Sequence, residues 1–297
     1  MHILITGGTG LIGTALSEQL RRQGHDVTVW TRRTHEPSGG VVYVTALQDC
    51  AEPIDMVVNL AGANLAERRW SRSYKAEIRR SRIDLTAHLI AWMRSCSRPP
   101  RRLISASAIG YYGVSDDETF DETSAAGHGF AAELCRDWEQ AARSVADHGV
   151  EVVTMRLGVV LAGQGSALQK MTQSFKFGIE SWLGSGEQWL SWIHLLDAVH
   201  AIEFAMIAET PAAVYNAVAP EPVRHRDFAR AVGKQSGALV HLPVPGFLAR
   251  AIAGEMAQEL LLSGQRVLPL ALQQEAFHFH YPNLEQALQS LRARGSN

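Results

Sequence analysis

Three glycines near the start of the chain have the spacing of a phosphate-binding turn. Gly7, Gly10 and Gly13 follow a short apolar run, and an amphipathic segment begins directly after them. This order predicts a strand, a tight turn and a helix whose first backbone N–H groups lack partners and favour an anion. Glycine permits the turn, the approach of backbone to phosphate, and the packing of helix on strand. The pattern predicts a bound dinucleotide, the alternative being an ordinary glycine-rich turn.

A basic residue stands where a dinucleotide site distinguishes its two common cofactors. In an NAD site, a carboxylate about 20 residues past the glycines accepts a hydrogen bond from the ribose 2′-hydroxyl. Here the predicted second strand is followed by Arg32 and Arg33, and no carboxylate stands there. A guanidinium suits a 2′-phosphate through bidentate, charge-assisted hydrogen bonds. We therefore predict NADP rather than NAD through Arg32, unless both arginines are ordinary surface residues and the site is indifferent.

The composition is that of a globular protein. The chain has 297 residues, of which 46% are hydrophobic and 20% charged, and its net charge is −2 at pH 7. This balance does not suggest a nucleic-acid or membrane partner. Cys50, Cys96 and Cys135 are odd in number and lie outside metal-ligand spacings, so we expect a reducing compartment and no metal site. The sequence shows no signal peptide and no membrane span of about 18 apolar residues, and we expect the protein in the cytoplasm.

Strand-like and helix-like segments alternate over the first two thirds of the chain. Runs of Val, Ile and Leu predict parallel strands covered on both faces, and the alternation predicts a doubly wound α/β sheet. The predicted strands cover residues 3–6, 26–30, 41–44, 56–60, 102–105, 150–157 and 213–217. The predicted helices begin near residues 11, 81, 130 and 196.

The alternation stops after about residue 162. The stretch 163–186 is rich in glycine and aromatic residues and predicts a loop with short helices, and the end of the chain is helical and punctuated by proline. We predict an NADP-binding Rossmann-type domain from residues 1–162 plus 191–217. A smaller, mainly helical C-terminal substrate domain is predicted from residues 163–190 plus 218–297.

Motifs along nearly the whole chain resemble those of the extended short-chain dehydrogenase/reductases. The similar stretches are residues 6–13, 59–62, 105–113, 156–160, 191–194 with Asp197, 215–217, 222–228 and 264–269. The nearest likeness is to the subgroup of epimerase family proteins, known as nucleoside-diphosphate-sugar-epimerase-like or cell-division-inhibitor-like. The resemblance implies a substrate cleft between the two parts of the chain.

The resemblance also implies which residues hold the dinucleotide. They stand in four groups along the chain, at or directly after the ends of predicted strands. The groups are Gly7, Thr9, Gly10, Leu11 and Ile12 with Arg32; Asn59, Leu60, Ala61 and Gly62 on the adenine and ribose side; Ser105 and Ala106 beneath the nicotinamide ribose; and Arg156, Gly158 and Val159 near the nicotinamide edge.

The catalytic pair of the larger superfamily is missing. Those enzymes place a Tyr and a Lys at i and i+4 on the helix after the fifth strand, where the Tyr transfers the proton and the Lys lowers the pKa of the Tyr. The two registers here give Phe130 with Leu134, or Ala131 with Cys135.

Three hydroxyl residues are candidates to replace that pair. We name Ser107, Tyr111 and Tyr112, with a tyrosine phenol presented from the loop and Ser107 as its hydrogen-bond partner. Aromatic packing over the cofactor or the sheet edge is the alternative for the tyrosines.

Other side chains have both a chemical and a structural interpretation. Glu133 is a general acid if it is buried and a solvated carboxylate otherwise, while Cys135 is interpreted as a small buried residue. His194, near Asp197, is expected to be structural rather than catalytic.

Two further segments are candidates for contacting substrate. The segment 182–192 carries three tryptophans that could wall a pocket or join the two parts of the chain. The basic triplet 224–226 could meet an anionic substrate group or form a solvated turn.

These observations predict an NADP(H)-dependent oxidoreductase or nucleotide-sugar-epimerase-like enzyme. Its partner would be a small molecule such as a nucleotide sugar or another carbonyl or alcohol. The alternative is a catalytically silent NADP(H)-binding regulator or redox sensor, because the Tyr/Lys pair is absent. The substrate and the oligomeric state are left open.

Overall fold

The computed structural model describes residues 1–36, 39–51, 53–163, 168, 179–238 and 240–294. Its strands are β1 His2–Thr6, β2 Asp26–Trp30, β3 Val41–Val44, β4 Met56–Asn59, β5 Arg102–Ala108, β6 Thr119–Phe120, β7 Glu151–Leu157, β8 Val159–Leu161, β9 Ile179–Leu183, β10 Trp189–Leu190, β11 Trp192–His194, β12 Val214–Ala217, β13 Val223–Arg224, β14 Val240–Val244 and β15 Arg266–Val267.

Its helices are α1 Leu11–Arg22, α2 Arg72–Arg79, α3 Leu85–Ser95, α4 Phe130–Arg143, α5 Leu195–Ile207, α6 His225–Ser236, α7 Gly246–Ala253, α8 Glu255–Leu260, α9 Leu270–Gln274 and α10 Leu284–Arg294. A single π-helical turn, Arg80–Asp84, joins α2 to α3. None of the helices in the described part of the chain is long and apolar enough to cross a membrane.

The central sheet has seven strands in the order β3-β2-β1-β4-β5-β7-β12. Every neighbouring pair in it is parallel. This is the Rossmann order, in which the chain moves outward from β1 in one direction and then returns to continue in the other. The doubly wound sheet predicted from the sequence is therefore confirmed. Its order reverses between β1 and β4, and ligands of such sheets bind at the carboxyl ends of the strands beside that reversal.

Helices cover both faces of the sheet. Because successive strand side chains point to opposite faces, Ile3 and Ile5 pack in the cluster that contains Leu16 of α1 and Ile202 of α5. The residue between them, Leu4, packs in the other cluster, with residues of α3 and α4. The apolar runs in the sequence are thus explained by burial on both sides of the sheet.

The sheet strand β5 is longer than the sequence indicated. It ends at Ala108 rather than at residue 105, because residues 106–108 pair with residues 155–157 of β7. Ser107 therefore lies within the strand, directly opposite Arg156, and not in the loop that follows.

The C-terminal part of the chain is mainly helical, with short strand pairs. The expectation of a loop over 163–186 is wrong for β9, which forms a parallel pair with β14 from far along the chain. The rest of that expectation falls mostly on residues 164–167 and 169–178, outside the described residues. A separate apolar cluster joins Trp192 and Leu190 to Phe228 of α6 and Leu288 of α10. The exact division of the chain into two domains stays a prediction.

A buried arginine joins the sheet to the end of α5. The Arg102 side chain is 2% exposed, and its Nε lies 2.6 Å from an oxygen of Glu151. Its Nη1 donates to the carbonyls of Ala205, at 2.7 Å, and Met206, at 2.9 Å. A cation at a helix C-terminus satisfies carbonyls that have no partner within the helix.

We expect Arg102→Met to lower the free energy of unfolding by about 1–3 kcal/mol, because the buried Ala205 carbonyl loses its donor and the Met206 carbonyl keeps only Arg101 at 3.4 Å. Urea unfolding of both proteins measures this difference. The matched control is Arg98→Met, at a guanidinium that is 71% exposed. Its effect should stay within about 0.5 kcal/mol. Equal stability of the two variants would contradict the role assigned to Arg102.

Candidate functional site

A cleft of about 540 Å³ lies at the carboxyl ends of the sheet strands. Residues that follow β1, β4 and β7 and residues at the end of β5 form one side of it. Residues 189–191, 259–260 and 263–265, which come from later in the chain, also line it. The cleft is therefore at the place where the strand order reverses, as expected for a ligand site of this sheet.

The glycine turn forms one end of the cleft through close backbone contacts. Gly7 has φ +68°, and a Cβ on it would lie 2.7 Å from the carbonyl carbon and oxygen of Leu60. A Cβ on Gly13 would lie 2.3 Å from the carbonyl oxygen of Gly7. Substituting either glycine would push the turn away from the loop after β4 or away from its own helix.

The N-terminus of α1 is open towards the cleft. Gly10 is its N-cap, so no side chain caps the helix, and its first turn contains no acidic residue. Gly10, Leu11 and Ile12 all line the cleft. Unpaired N–H donors at the positive end of a helix dipole are suited to an anion. These residues therefore fit the pyrophosphate of a dinucleotide.

The side chain of Asn59 holds three strands together beneath the cleft. It is fully buried, accepts a hydrogen bond from the Thr6 hydroxyl at 2.7 Å, and donates to Thr86 at 2.9 Å and Ser105 at 3.3 Å. Thr6 in turn accepts from the backbone N–H of Ala61 at 3.1 Å. Asn59 and Ser105 thus position the loop after β4 from below.

Of the residues assigned from the sequence to the dinucleotide or to catalysis, ten line the cleft. Those in the lining are Gly7, Gly10, Leu11, Ile12, Leu60, Gly62, Ala106, Ser107, Gly158 and Val159. Those outside the lining are Thr9, Arg32, Asn59, Ala61, Ser105, Tyr111, Tyr112 and Arg156. Arg32 is exposed just beyond β2, and the described residues offer its guanidinium no partner.

Helix α4 brings Ala131 and Cys135 to the cleft, together with Leu134 and Trp138. Phe130 instead packs against Trp70, with ring centroids 4.9 Å apart. The register with Ala131 and Cys135 is therefore the i, i+4 pair that lines the cleft. Burial raises the pKa of the Cys135 thiol to about 11, so this position offers a neutral thiol.

A buried ion pair lies directly under this part of the cleft. Arg156 contacts both oxygens of Glu139, with Nε at 2.9 Å and Nη2 at 3.0 Å. The two side chains are only 3% and 1% exposed. The Ser107 hydroxyl, which lines the cleft, donates to the same carboxylate at 2.8 Å. Ser107 thus connects the cleft to a buried charge.

The two tyrosines surround Arg156. The Tyr112 hydroxyl donates to Asn216 at 2.7 Å and accepts from Nη1 of Arg156 at 2.9 Å. Burial raises the pKa of Tyr112 to about 12, so its phenol is neutral at ordinary pH. The guanidinium carbon of Arg156 lies 3.4 Å from the ring centroid of Tyr111, which is a cation–π contact.

Two charged residues of the cleft lining were not singled out from the sequence. Arg82 comes from the π-helical turn, and its guanidinium carbon lies 5.2 Å from the ring centroid of Trp138. Glu259 of α8 accepts hydrogen bonds from the backbone N–H groups of Phe130, at 3.1 Å, and Ala131, at 2.9 Å. The carboxylate of Glu259 is used to cap α4. Arg82 is the cation that the described lining offers to a ligand.

Three other candidates from the sequence have the surroundings of structural residues rather than of catalytic ones. Glu133 is exposed, Cys135 is buried, and His194 accepts a hydrogen bond from the backbone N–H of Leu196 at 3.1 Å, so it caps α5. Trp189 lines the cleft, whereas the fully buried Trp192 belongs to the apolar cluster with α6.

The two arginines of the basic triplet 224–226 already have partners beside the cleft. Arg224 stacks on Trp189, with its guanidinium carbon 3.7 Å from the ring centroid, and Arg226 pairs with Glu187 at 2.7 Å. Burial lowers the pKa of His225 to about 4, so this residue is neutral at ordinary pH.

Comparison with known proteins relates most of the chain to one family. The model of the NAD dependent epimerase/dehydratase family matches residues 3–217, and that of a domain of unknown function, DUF1731, matches residues 244–291. An epimerase family protein of Mycobacterium tuberculosis is 40% identical over 294 residues, which cover 96% of each chain. The epimerase family protein YfhF of Bacillus subtilis is 36% identical over 99% of this chain and 98% of its own.

Solved structures show the same fold. A crystal structure of the human epimerase family protein SDR39U1 with NADPH has a TM-score of 0.92 and 32% identity, and the match covers 99% of each chain. MoeE5, solved with UDP-glucose and NAD, has a TM-score of 0.79 and 19% identity over the whole of both chains. At that identity, the second likeness concerns the fold alone.

We expect Glu139→Gln to lower the free energy of unfolding by about 3–5 kcal/mol, because it leaves the buried Arg156 without a counter-charge. Arg143→Gln is the matched control, since it removes the other charged partner of Glu139. The Arg143 side chain is 53% exposed. The cost of this control should be at most about 1 kcal/mol. Urea unfolding distinguishes the two variants, and a small loss in both would show that the buried pair does not stabilise this region.

Proposed function

The chain belongs to the NAD dependent epimerase/dehydratase family, and we propose that it is an NADP(H)-dependent oxidoreductase or epimerase-like enzyme. The observation that carries this proposal is the uncapped N-terminus of α1 beside Gly7 and Gly13, which opens into the cleft. The substrate would be a small carbonyl or alcohol compound, such as a nucleotide sugar.

The preference for NADP(H) depends on Arg32. The exposed guanidinium follows β2, where the ribose 2′ position of a dinucleotide lies in this fold, and the residues from Trp30 to Thr34 include no carboxylate. A free guanidinium there favours a 2′-phosphate over a hydroxyl. The human relative that was crystallised with NADPH supports the same choice.

The cofactor would supply hydride transfer, and Ser107 is the proposed route for the proton. The Ser107 hydroxyl donates to Glu139 and also contacts the Cys135 thiol, and its oxygen would accept from a substrate hydroxyl in the cleft in place of that thiol. A proton leaving that hydroxyl would reach the buried carboxylate through Ser107. Arg156 holds the carboxylate in position beside Ser107.

A catalytic role for Tyr111 and Tyr112 stays a prediction. Neither ring belongs to the cleft lining, and the Tyr112 hydroxyl already has Asn216 and Arg156 as partners. We infer that both tyrosines position Arg156, one by a hydrogen bond and the other by its ring face.

The cleft favours a substrate with a polar or anionic group at one end. Arg82 offers the available cation, and the indoles of Trp138 and Trp189 offer flat apolar surfaces. A sugar or other small carbonyl compound that carries a phosphate or carboxylate would match this distribution.

The residues that α4 contributes to the cleft lining favour a second function. Ala131 and Cys135 stand where superfamily enzymes carry their Tyr and Lys, and neither side chain donates a proton readily at neutral pH. A chain that holds NADP(H) without turnover, as a regulator or redox sensor, would need only the cofactor half of the cleft.

For the cofactor, we expect Arg32→Gln to weaken NADPH binding by about 10- to 100-fold, because it removes a charged hydrogen bond to phosphate. NADH binding should change little. Calorimetric titration of both cofactors measures the two affinities. Arg33→Gln is the matched control and should lower the affinity for NADPH less. An unchanged ratio of the two affinities in Arg32→Gln would refute the assignment.

For the chemistry, NADPH oxidation is followed at its absorbance band with a panel of carbonyl compounds. We expect Ser107→Ala to lower kcat by about 100-fold, because it removes the proton route, while the affinity for NADPH is kept. Tyr111→Phe is the control and should retain activity. Tight NADPH binding by the wild type with no oxidation against any compound would favour the silent function instead.

A further inference from the structure

Two histidines and an aspartate form a cluster outside the cleft. Asp197 and His200 lie three positions apart in the first half of α5, so they share one face of the helix. His280 comes from the segment that precedes α10. One ligand atom from each of the three residues lies within 4.8 Å of both others. None of them belongs to the lining of the cofactor cleft.

The distances between these ligand atoms match the distance between neighbouring ligands of a tetrahedral zinc ion. The Nδ1 atoms of His200 and His280 are 3.3 Å apart, and Nδ1 of His280 lies 3.4 Å from Oδ1 of Asp197. In a tetrahedral zinc site with bonds of about 2.0–2.1 Å, neighbouring ligand atoms are about 3.3–3.4 Å apart. Two of the three edges thus have the length that a shared zinc ion requires.

Backbone hydrogen bonds hold the side chain of Asp197 in place. Its side chain is fully buried, and its two oxygens accept hydrogen bonds from the backbone N–H groups of His280 and Tyr281, each at 2.9 Å. The carboxylate keeps further lone pairs on Oδ1, the oxygen nearest to the His280 ring. Outer hydrogen bonds of this kind orient metal ligands in many proteins.

We propose that Asp197, His200 and His280 bind one Zn²⁺ ion, with water in the fourth position. Two imidazoles and a carboxylate favour zinc over Mg²⁺ or Ca²⁺, which prefer oxygen ligands throughout. The ion joins α5, which covers the central sheet, to the segment that leads into α10. It therefore stabilises the attachment of the C-terminal helix.

The sequence does not reveal this site because its ligands come from distant segments. His200 and His280 are 80 positions apart, and no short ligand motif contains both. Only the packing of the 280–281 backbone against Asp197 brings the second imidazole to the first.

The test uses the full chain after removal of metal with a chelator. Titration with ZnCl₂ in a calorimeter should show one Zn²⁺ bound per chain, and His200→Ala and His280→Ala should each lower its affinity at least about tenfold. His148→Ala, at an exposed histidine elsewhere, is the matched control and should bind as the wild type does. Equal binding by wild type and both cluster variants would overturn the proposal, and so would no saturable binding.

Two further measurements separate a specific site from loose association. Zn²⁺ should raise the Tm of the wild type and of His148→Ala but not that of His200→Ala, because only a ligand of the folded state stabilises it. Co²⁺ in place of Zn²⁺ should give the strong visible absorption of tetrahedral cobalt, which His280→Ala should lose. A Tm that rises equally in all variants would place the ion elsewhere. The metal-free variants should keep the wild-type circular dichroism spectrum, since both imidazoles are partly exposed.

Discussion

The buried ion pair between Glu139 and Arg156 holds the centre of this structure. Removing two charges from water is costly, and the cost is offset only when the geometry is good and the remaining donors are satisfied. Here Arg156 uses all three guanidinium nitrogens, two on Glu139 and one on the Tyr112 hydroxyl. Glu139 also accepts from Ser107. The pair thereby joins α4 to β7 and β5, and through Tyr112 and Asn216 to β12.

This pair determines which face of α4 meets the cleft. With Glu139 directed under the cleft floor, the side chains one and two turns earlier, Cys135 and Ala131, line the cleft itself. Glu139 and Arg156 therefore lie below the surface of the cleft, and Ser107 is their contact with it. The other part of the cleft, built from backbone donors and glycines, does not depend on this arrangement.

Two carboxylates attach the C-terminal part of the chain to the sheet-covering helices. Glu259 of α8 accepts from the first N–H groups of α4, where the helix dipole favours an anion. Asp197 of α5 accepts from the backbone of residues 280 and 281. In both cases a charge on one segment satisfies backbone donors of another, and at α4 an apolar cluster that contains Leu134 and Met256 packs beside the carboxylate. These two attachments determine where the later residues of the cleft lining and the proposed zinc ligands stand.

The sequence by itself determined the sheet, four of its helices and the phosphate-binding turn, because these follow from local apolar runs and from the backbone needs of Gly7 and Gly13, whereas α2 was not predicted. It also placed Arg32 after β2, and it showed that α4 lacks a Tyr and a Lys. What it could not show was decided mostly by contacts between distant segments. The pairing of β5 with β7 draws Ser107 into the sheet opposite Arg156, the π-helical turn carries Arg82 into the cleft, and the backbone at His280 meets Asp197. The first and the third of these depend on long-range packing, which leaves no periodic signal in the sequence, and the second depends on a local π-helical turn.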